Sequence, residues 1–148
     1  MKTLKYILAV AASLAVLPLS AKDYYASTFG IKSNGTTMNT TSIQKAIDFI
    51  SEEGGGKLIF KVGRYLTGTI ELKDNVTIEL SEGAVLVGST NPYDYRQARS
   101  EMGLIIAYQA KNCGIIGRGV IDGQGRELAN NFLGQIANGI IKDPLGLG

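Results

Sequence analysis

Lys73-Asp74-Asn75-Val76-Thr77-Ile78 recurs as Lys111-Asn112-Cys113-Gly114-Ile115-Ile116, and Gly83-Ala84-Val85-Leu86 recurs as Gly119-Val120-Ile121-Asp122. Each unit is a short strand, a polar or glycine turn and another short strand. Self-similarity of this kind without helical periodicity marks a β-solenoid, in which each coil buries its apolar face only against its neighbours. The last copy is followed by no capping signal before Leu147-Gly148, so the solenoid reads as cut short at its C-terminal end.

Between Lys57 and Val87 the apolar residues alternate. Leu58, Phe60 and Val62 form one run, Ile70 and Leu72 the next, Val76, Ile78 and Leu80 a third, and residues 84–87 follow. Gly63, Gly68 and Gly83 punctuate these runs at intervals too short for the crossover helices of a doubly wound sheet. Strand count alone leaves a sandwich or barrel open, and the repeat favours the solenoid. The composition agrees, with 19 glycines, four phenylalanines and no proline-rich linker. The chain reads as all-β and as one domain.

One helix precedes the strands. Ile43, Ala46, Ile47 and Ile50 make one apolar face, Thr41 and Gln44 have capping-box spacing, and Gly54-Gly55-Gly56 ends the helix. Placed ahead of a solenoid, it is predicted to cover the open end of the core.

Residues 1–21 have the form of a cleavable signal peptide. Lys2 and Lys5 give a basic start, residues 6–17 an apolar run, and Pro18-Leu19-Ser20-Ala21 a small-residue exit with cleavage expected after Ala21. The run is short for a membrane span and Lys22 stands where a lipoprotein would have cysteine, so the expectation is a secreted or periplasmic protein. The mature 22–148 chain carries 13 basic and 13 acidic side chains. That balance argues against sequence-independent nucleic-acid binding, which needs a basic surface. A monomer is expected.

The chain has no histidine and a single cysteine, Cys113. Imidazole acid–base chemistry, histidine metal sites and an intramolecular disulfide are thereby excluded within it, and Cys113 reads as a small packed residue. Gly54-Gly55-Gly56-Lys57 is followed by Leu58 and lies between a helix and a strand in the wrong order for a phosphate cradle. Residues 117–123 lack the third glycine of a dinucleotide fingerprint. Neither a cofactor nor a metal is expected, since no run of acids has the density of a calcium site.

Carboxylates are the remaining catalytic candidates: Asp74, Asp94, Asp122, Asp143 and the glutamates. Glycosidic cleavage needs a proton donor and a base on either side of one bond, which a solenoid would show as acids repeating across adjacent coils. Asp122, in Asp122-Gly123, most simply makes a turn, and Asp74 occupies a turn position aligned with Asn112. Between the repeats lies an insertion, residues 91–100, containing Tyr93, Tyr95, Arg96 and Arg99. Insertions in solenoids project on one side, where tyrosines can stack on sugar rings and arginines can pair with carboxylates. Loops of this composition are common, which favours the alternative of a solvated loop pinned by tyrosine packing.

Several segments taken in order resemble the amino-terminal part of family 28 glycoside hydrolases. They are Phe29-Gly30-Ile31-Lys32-Ser33-Asn34-Gly35, residues 40–50, Gly55-Gly56-Lys57-Leu58-Ile59-Phe60, Gly63-Arg64-Tyr65-Leu66-Thr67-Gly68, and Gly119-Val120-Ile121-Asp122-Gly123-Gln124-Gly125. The resemblance covers residues 25–125, with Asn34 where the family often has Asp and Lys61 where it often has Pro. It implies a right-handed parallel β-helix shared with pectate lyases, and hydrolysis of pectic polysaccharide by aspartates. The family's Asn-Thr-Asp, Asp-Asp, Gly-His-Gly and Arg-Ile-Lys signatures do not occur here, and Asn39-Thr40-Thr41 lacks the acid. No catalytic residue is carried over, and those residues are expected beyond Gly148.

The leading reading is therefore the amino-terminal portion of an exported pectin-degrading hydrolase, inactive by itself. The alternatives are a non-catalytic β-helix that binds polysaccharide or serves a structural role, and a lyase or epimerase on the same scaffold. A tail over residues 126–148 carries apolar residues partly at helical spacing, with Gly134, Gly139 and Pro144 expected to interrupt any continuous helix.

Overall fold

The computed structural model describes residues 21–98 and 101–142. The leader read over residues 1–21 therefore lies, apart from Ala21, outside the described residues. Eleven strands and two α-helices are described: β1 (Lys22–Tyr25), α1 (Thr40–Glu52), β2 (Gly56–Phe60), β3 (Gly63–Thr67), β4 (Ile70–Glu71), β5 (Val76–Leu80), β6 (Ala84–Gly88), β7 (Gln97–Ala98), β8 (Glu101–Met102), β9 (Ile105–Ile106), β10 (Gly114–Gly117), β11 (Val120–Asp122) and α2 (Gly125–Ala137).

Consecutive strands do not pair, apart from β1 with β2 and the small antiparallel pair β7–β8. Each strand instead lies parallel to the strand one coil away. One sheet has the order β1-β2-β5-β10, the second β11-β6-β3 and the third β4-β9. Three parallel sheets wound by one chain make a partial parallel β-helix, as the repeat implies. Strand β1 extends the first sheet by one strand ahead of the predicted alternation.

Side chains of equal register stack through the interior. Tyr24, Leu58, Ile78 and Ile115 form one column, and Tyr65, Leu86 and Ile121 a second. Leu58, Phe60, Ile78 and Leu86 are fully buried, each contributing roughly 1.5–3 kcal/mol. Phe60 meets Tyr65 edge to face at 4.9 Å. Val62, grouped above with Leu58 and Phe60, is an exception. It lies past the end of β2 and is 73% exposed, because the chain has already turned towards β3.

The repeat is real, but the sequence alignment is off by one residue. Ile115, not Ile116, lies over Ile78, and Ile121, not Asp122, lies in register with Leu86. A one-residue slip exchanges the faces of a strand. Ile115 accordingly packs against the core, whereas Ile116 is half exposed. The turn partner of Asn112 is Asn75 rather than Asp74. Both asparagines have positive φ, 62° and 52°.

Helix α1 buries Ile43, Ala46, Ile47 and Ile50 as predicted, packing against β2, β4 and β5. Its N-cap is Asn39, and no side chain caps it, so the Thr41–Gln44 capping box does not form. Gln44 is used elsewhere. Its Nε2 donates to the Glu71 carbonyl at 3.0 Å and its Oε1 accepts from the Glu71 N–H at 2.8 Å. The amide thus stands in for a strand residue along the free edge of β4. Asn39 is buried and stitches three segments, accepting from the Lys32 N–H at 2.8 Å and donating to the carbonyls of Lys32, Thr37 and Leu66.

Helix α2 passes through Gly134 without interruption and ends before Gly139, whose φ is 69°. The expected break at Gly134 does not occur. A single glycine costs only about 1 kcal/mol in a helix. No residue of α2 is fully buried, and it docks on the short 3-10 turn Pro92–Asp94, with Asn131 donating to the Thr90 carbonyl at 2.9 Å. Ile116, Val120 and Ile121 of the last described coil remain about half exposed.

Candidate functional site

The insertion after β6 is folded back on the coils by polar contacts. Asn91 accepts from the Tyr93 N–H at 3.1 Å, and the Ser89 hydroxyl donates to the Asp94 carboxylate. The Asp94 carbonyl accepts from the Thr69 N–H at 3.2 Å, and the Arg96 N–H donates to the Thr69 hydroxyl at 2.8 Å. Gly68 permits this approach, since a Cβ there would run into the Asp94 carbonyl.

Facing the insertion is the polar side of α1. Together they bound a groove of about 310 Å³ lined by Thr40, Thr41, Gln44, Lys45 and Asp48 of the helix and by Thr69, Asp94 and Arg96 opposite. Thr40 closes its floor, its hydroxyl accepting from the Gly68 N–H at 2.7 Å. The volume and the small number of converging polar groups suit a small polar ligand.

The four insertion residues singled out from sequence are placed differently from one another. Tyr93 is 64% exposed. Tyr95 is half-buried, and its hydroxyl donates to the Ser89 carbonyl at 2.6 Å. Burial pushes its phenol up, and the neighbouring Asp94 charge adds to the shift. Arg96 lines the groove and donates from Nη2 to Glu71 at 2.7 Å. Arg99 lies outside the described residues.

Glu71 is the electrostatic centre of this side. Lys73 approaches one of its oxygens at 3.0 Å and Arg96 the other at 2.7 Å. The Lys73 hydrogen bond and charge, then those of Arg96, hold its carboxyl below the usual carboxylate range against the opposing effect of burial. Neither sequence periodicity nor motif marks Glu71. The signal lies in the register that sets it beside Gln44 and Arg96.

The other carboxylates are occupied locally. Asp74 accepts from the Lys111 N–H at 2.7 Å. Asp122 accepts from the Gln124 N–H at 3.1 Å, the turn expected of Asp-Gly, and lies 3.9 Å from Arg64. Asp143 lies outside the described residues. In the parallel registers Glu79 stands beside Ile116, Glu71 beside Ile106 and Asp122 beside Val87. Acids therefore do not repeat from coil to coil among the described residues. Nor do three or more His, Cys, Asp or Glu come together there in a way that could hold a metal. Cys113 is half-buried against the core.

Comparison with known proteins supports the fold. No protein-family model matches the chain. Over 127 residues it is 32% identical to an exo-poly-alpha-D-galacturonosidase of Dickeya chrysanthemi, covering 74% of this chain and 21% of that protein. A solved structure of a "putative glycosyl hydrolase" from Parabacteroides merdae superposes with a TM-score of 0.78 at 52% identity, covering 82% of this chain and 53% of that one. A family 28 exopolygalacturonase of Yersinia enterocolitica gives a TM-score of 0.61 at 33% identity, over 70% of this chain and 21% of that one. The chain thus spans about a fifth of the length of the galacturonosidase and about half that of the Parabacteroides protein.

Proposed function

From a chain that has, over part of its length, the β-helix fold of family 28 polygalacturonases, we propose that it supplies the opening coils of an exported, pectin-degrading glycoside hydrolase. The observation that carries this reading is similarity to a galacturonosidase through most of the coils, together with the matching superposition on an exopolygalacturonase. The acid and the base act from coils stacked beyond β10 and β11, because no acids repeat between the described coils. Residues 22–148 alone are inactive.

Export is supported by the basic, apolar and small-residue order of residues 1–21. It is also supported by the start of β1 at Lys22, immediately after the expected cleavage point. The protein acts as a monomer on polysaccharide and not on nucleic acid, consistent with its balanced mature charge. Tyr93, Tyr95, Arg96 and Arg99 contribute to substrate binding, Tyr93 and Arg96 directly. Tyr95 acts by holding the insertion in shape.

The test is release of reducing ends from polygalacturonate, measured for the protein expressed from its genomic frame and for residues 22–148 made alone. Hydrolysis by the first and none by the second is expected. Hydrolysis by residues 22–148 above background would overturn the placement of the acid and base. Binding without cleavage by the genomic product would favour the second reading, a non-catalytic polysaccharide-binding β-helix, which the lack of stacked acids also suits.

A further inference from the structure

Two asparagines of the chain precede glycine, in Asn34-Gly35 and Asn138-Gly139. This pairing is open to a reaction of the chain with itself. The glycine backbone nitrogen attacks the side-chain amide carbon of the asparagine, an approach that no Cβ on glycine hinders. An N–C bond forms, the amide nitrogen leaves as ammonia and a cyclic imide remains. Water then opens the imide to aspartate or to isoaspartate, in which the main chain runs through the side-chain carbon. Ring closure needs an untied side chain, a glycine nitrogen that can be released, and space around the pair.

The fold treats the two pairs oppositely. Asn34 is exposed but tied at both ends of its amide. Its Oδ1 accepts from the N–H of Thr36 at 3.1 Å and of Thr37 at 2.9 Å, and its Nδ2 donates to the Thr37 hydroxyl at 2.9 Å. The Gly35 N–H donates to the Arg64 carbonyl at 2.8 Å, in a parallel bridge to β3. A Cβ on Gly35 would stand 3.2 Å from that of Arg64, so the pair is also crowded. Asn138 is the exposed C-cap of α2, and among the described residues its side chain has no hydrogen-bond partner. A Cβ on Gly139 would meet nothing within 4 Å. The Gly139 N–H is held by the Ile136 carbonyl and the Ile140 N–H by the Gln135 carbonyl, both at 2.9 Å. These are bonds of a last helical turn, which opens at little cost. Ile140, which at such a helix end commonly packs back on the helix, is 64% exposed.

We propose that Asn138 is the site at which this protein deamidates, and that the fold protects Asn34. The product sets a carboxylate at the negative end of the α2 dipole. Isoaspartate also lengthens the backbone just before Gly139, so the bonds to Ile136 and Gln135 no longer fit together and the last turn of α2 unravels. No substrate takes part, so the site is independent of the pectic reading.

The experiment is peptide mapping by mass spectrometry of the full-length protein after incubation in mildly alkaline buffer, where the glycine nitrogen gives up its proton more readily. A parallel sample is held unfolded in urea, and isoaspartate is scored separately by enzymatic methylation. In the folded protein Asn138 should convert roughly tenfold faster than Asn34, because opening Asn34 also gives up three side-chain hydrogen bonds. In urea the two sites should convert at similar rates. Asn138→Gln should remove most of the isoaspartate formed by the folded protein, and Thr37→Ala should speed conversion at Asn34 alone. Conversion of folded Asn34 as fast as Asn138 would overturn the proposal. So would an intact Asn138 in the folded protein when the urea sample converts it, or an undiminished isoaspartate signal in Asn138→Gln. A tenfold gap that persists in urea would overturn it too, since local sequence and not the fold would then select the site.

Discussion

Asn112 donates from Nδ2 to the Oδ1 of Asn75 at 3.0 Å, directly across one coil of the solenoid. Both residues have the left-handed backbone conformation, so a side-chain bond and a backbone corner repeat together. Asparagine tolerates this region better than other non-glycine residues and still offers an amide to its neighbour. The corner between the third and first sheets is therefore set by residue type as well as by packing.

Asn75→Ala loses both features. The left-handed conformation costs roughly 1–2 kcal/mol for an ordinary residue, and the lost hydrogen bond about 1 kcal/mol more. Urea denaturation of the full protein should show the sum. Asn75→Gly should recover the backbone part only. Equal stability of Asn75→Ala and Asn75→Gly would show that the backbone corner carries no strain.

The Asn39 side chain joins the segment before α1 to β3, through Lys32, Thr37 and Leu66. Asn39→Ala removes the side-chain partner of the Lys32 N–H and of the Lys32 and Thr37 carbonyls, while the Leu66 carbonyl keeps the Asn39 N–H at 2.9 Å, and should cost about 1–3 kcal/mol. The far-ultraviolet spectrum should be retained while the denaturation midpoint falls. Asn39→Asp should not rescue it, because a carboxylate cannot donate to the three carbonyls.

Ile78 lies between Leu58 and Ile115 in the interior column and is fully buried. Ile78→Ala should cost roughly 2–5 kcal/mol. Ile116→Ala, on the exposed outer face of the same sheet, should change stability by no more than about 0.5 kcal/mol. Reversal of that order in thermal melts would restore the one-residue shift read from sequence.

Glu71 gives a pH dependence of definite sign. Its folded carboxyl lies below the ordinary value because of Lys73 and then Arg96. Its contribution is complete above the unfolded carboxylate pKa and is lost as pH falls through the lower folded value. Thermal melts should therefore decline from about pH 5 towards pH 3, with a shallower decline in Glu71→Gln. An unchanged slope would remove Glu71 from the electrostatics of this side.

Among the described residues β10 and β11 have partners on one side only, with Ile116, Val120 and Ile121 exposed, so residues 22–148 made alone offer an open edge. Such an edge favours association between chains. Light scattering should show concentration-dependent aggregation, reduced by Ile116→Lys. A monodisperse parent chain would count against an open edge.

The solenoid, the apolar face of α1 and the small residues at turns were legible in the chain because each is a local matter. Period-two alternation decides strands, i, i+3 and i+4 spacing decides the helix, and the recurrence of Asn, Asp and Gly decides the corners. Register was not legible, since Ile115 and Ile116 look alike to pattern matching, and matching Gly83 with Gly119 sets Asp122 rather than Ile121 on Leu86. Choosing between them required the stack on Ile78 and Leu86, where only one member of each pair can face inward. The same holds for the candidate site. Tyr93, Tyr95 and Arg96 could be noticed as an insertion, but Gln44 meets Glu71 27 residues on, and Glu71 meets Arg96 25 residues on. The chain's own pattern marked the strands between Lys57 and Val87, the repeat after Lys111 and helix α1, because those depend on neighbours along the chain, but not β1 or the continuous α2. Tertiary structure alone decided which faces meet and which charges are matched, because these depend on neighbours one coil away.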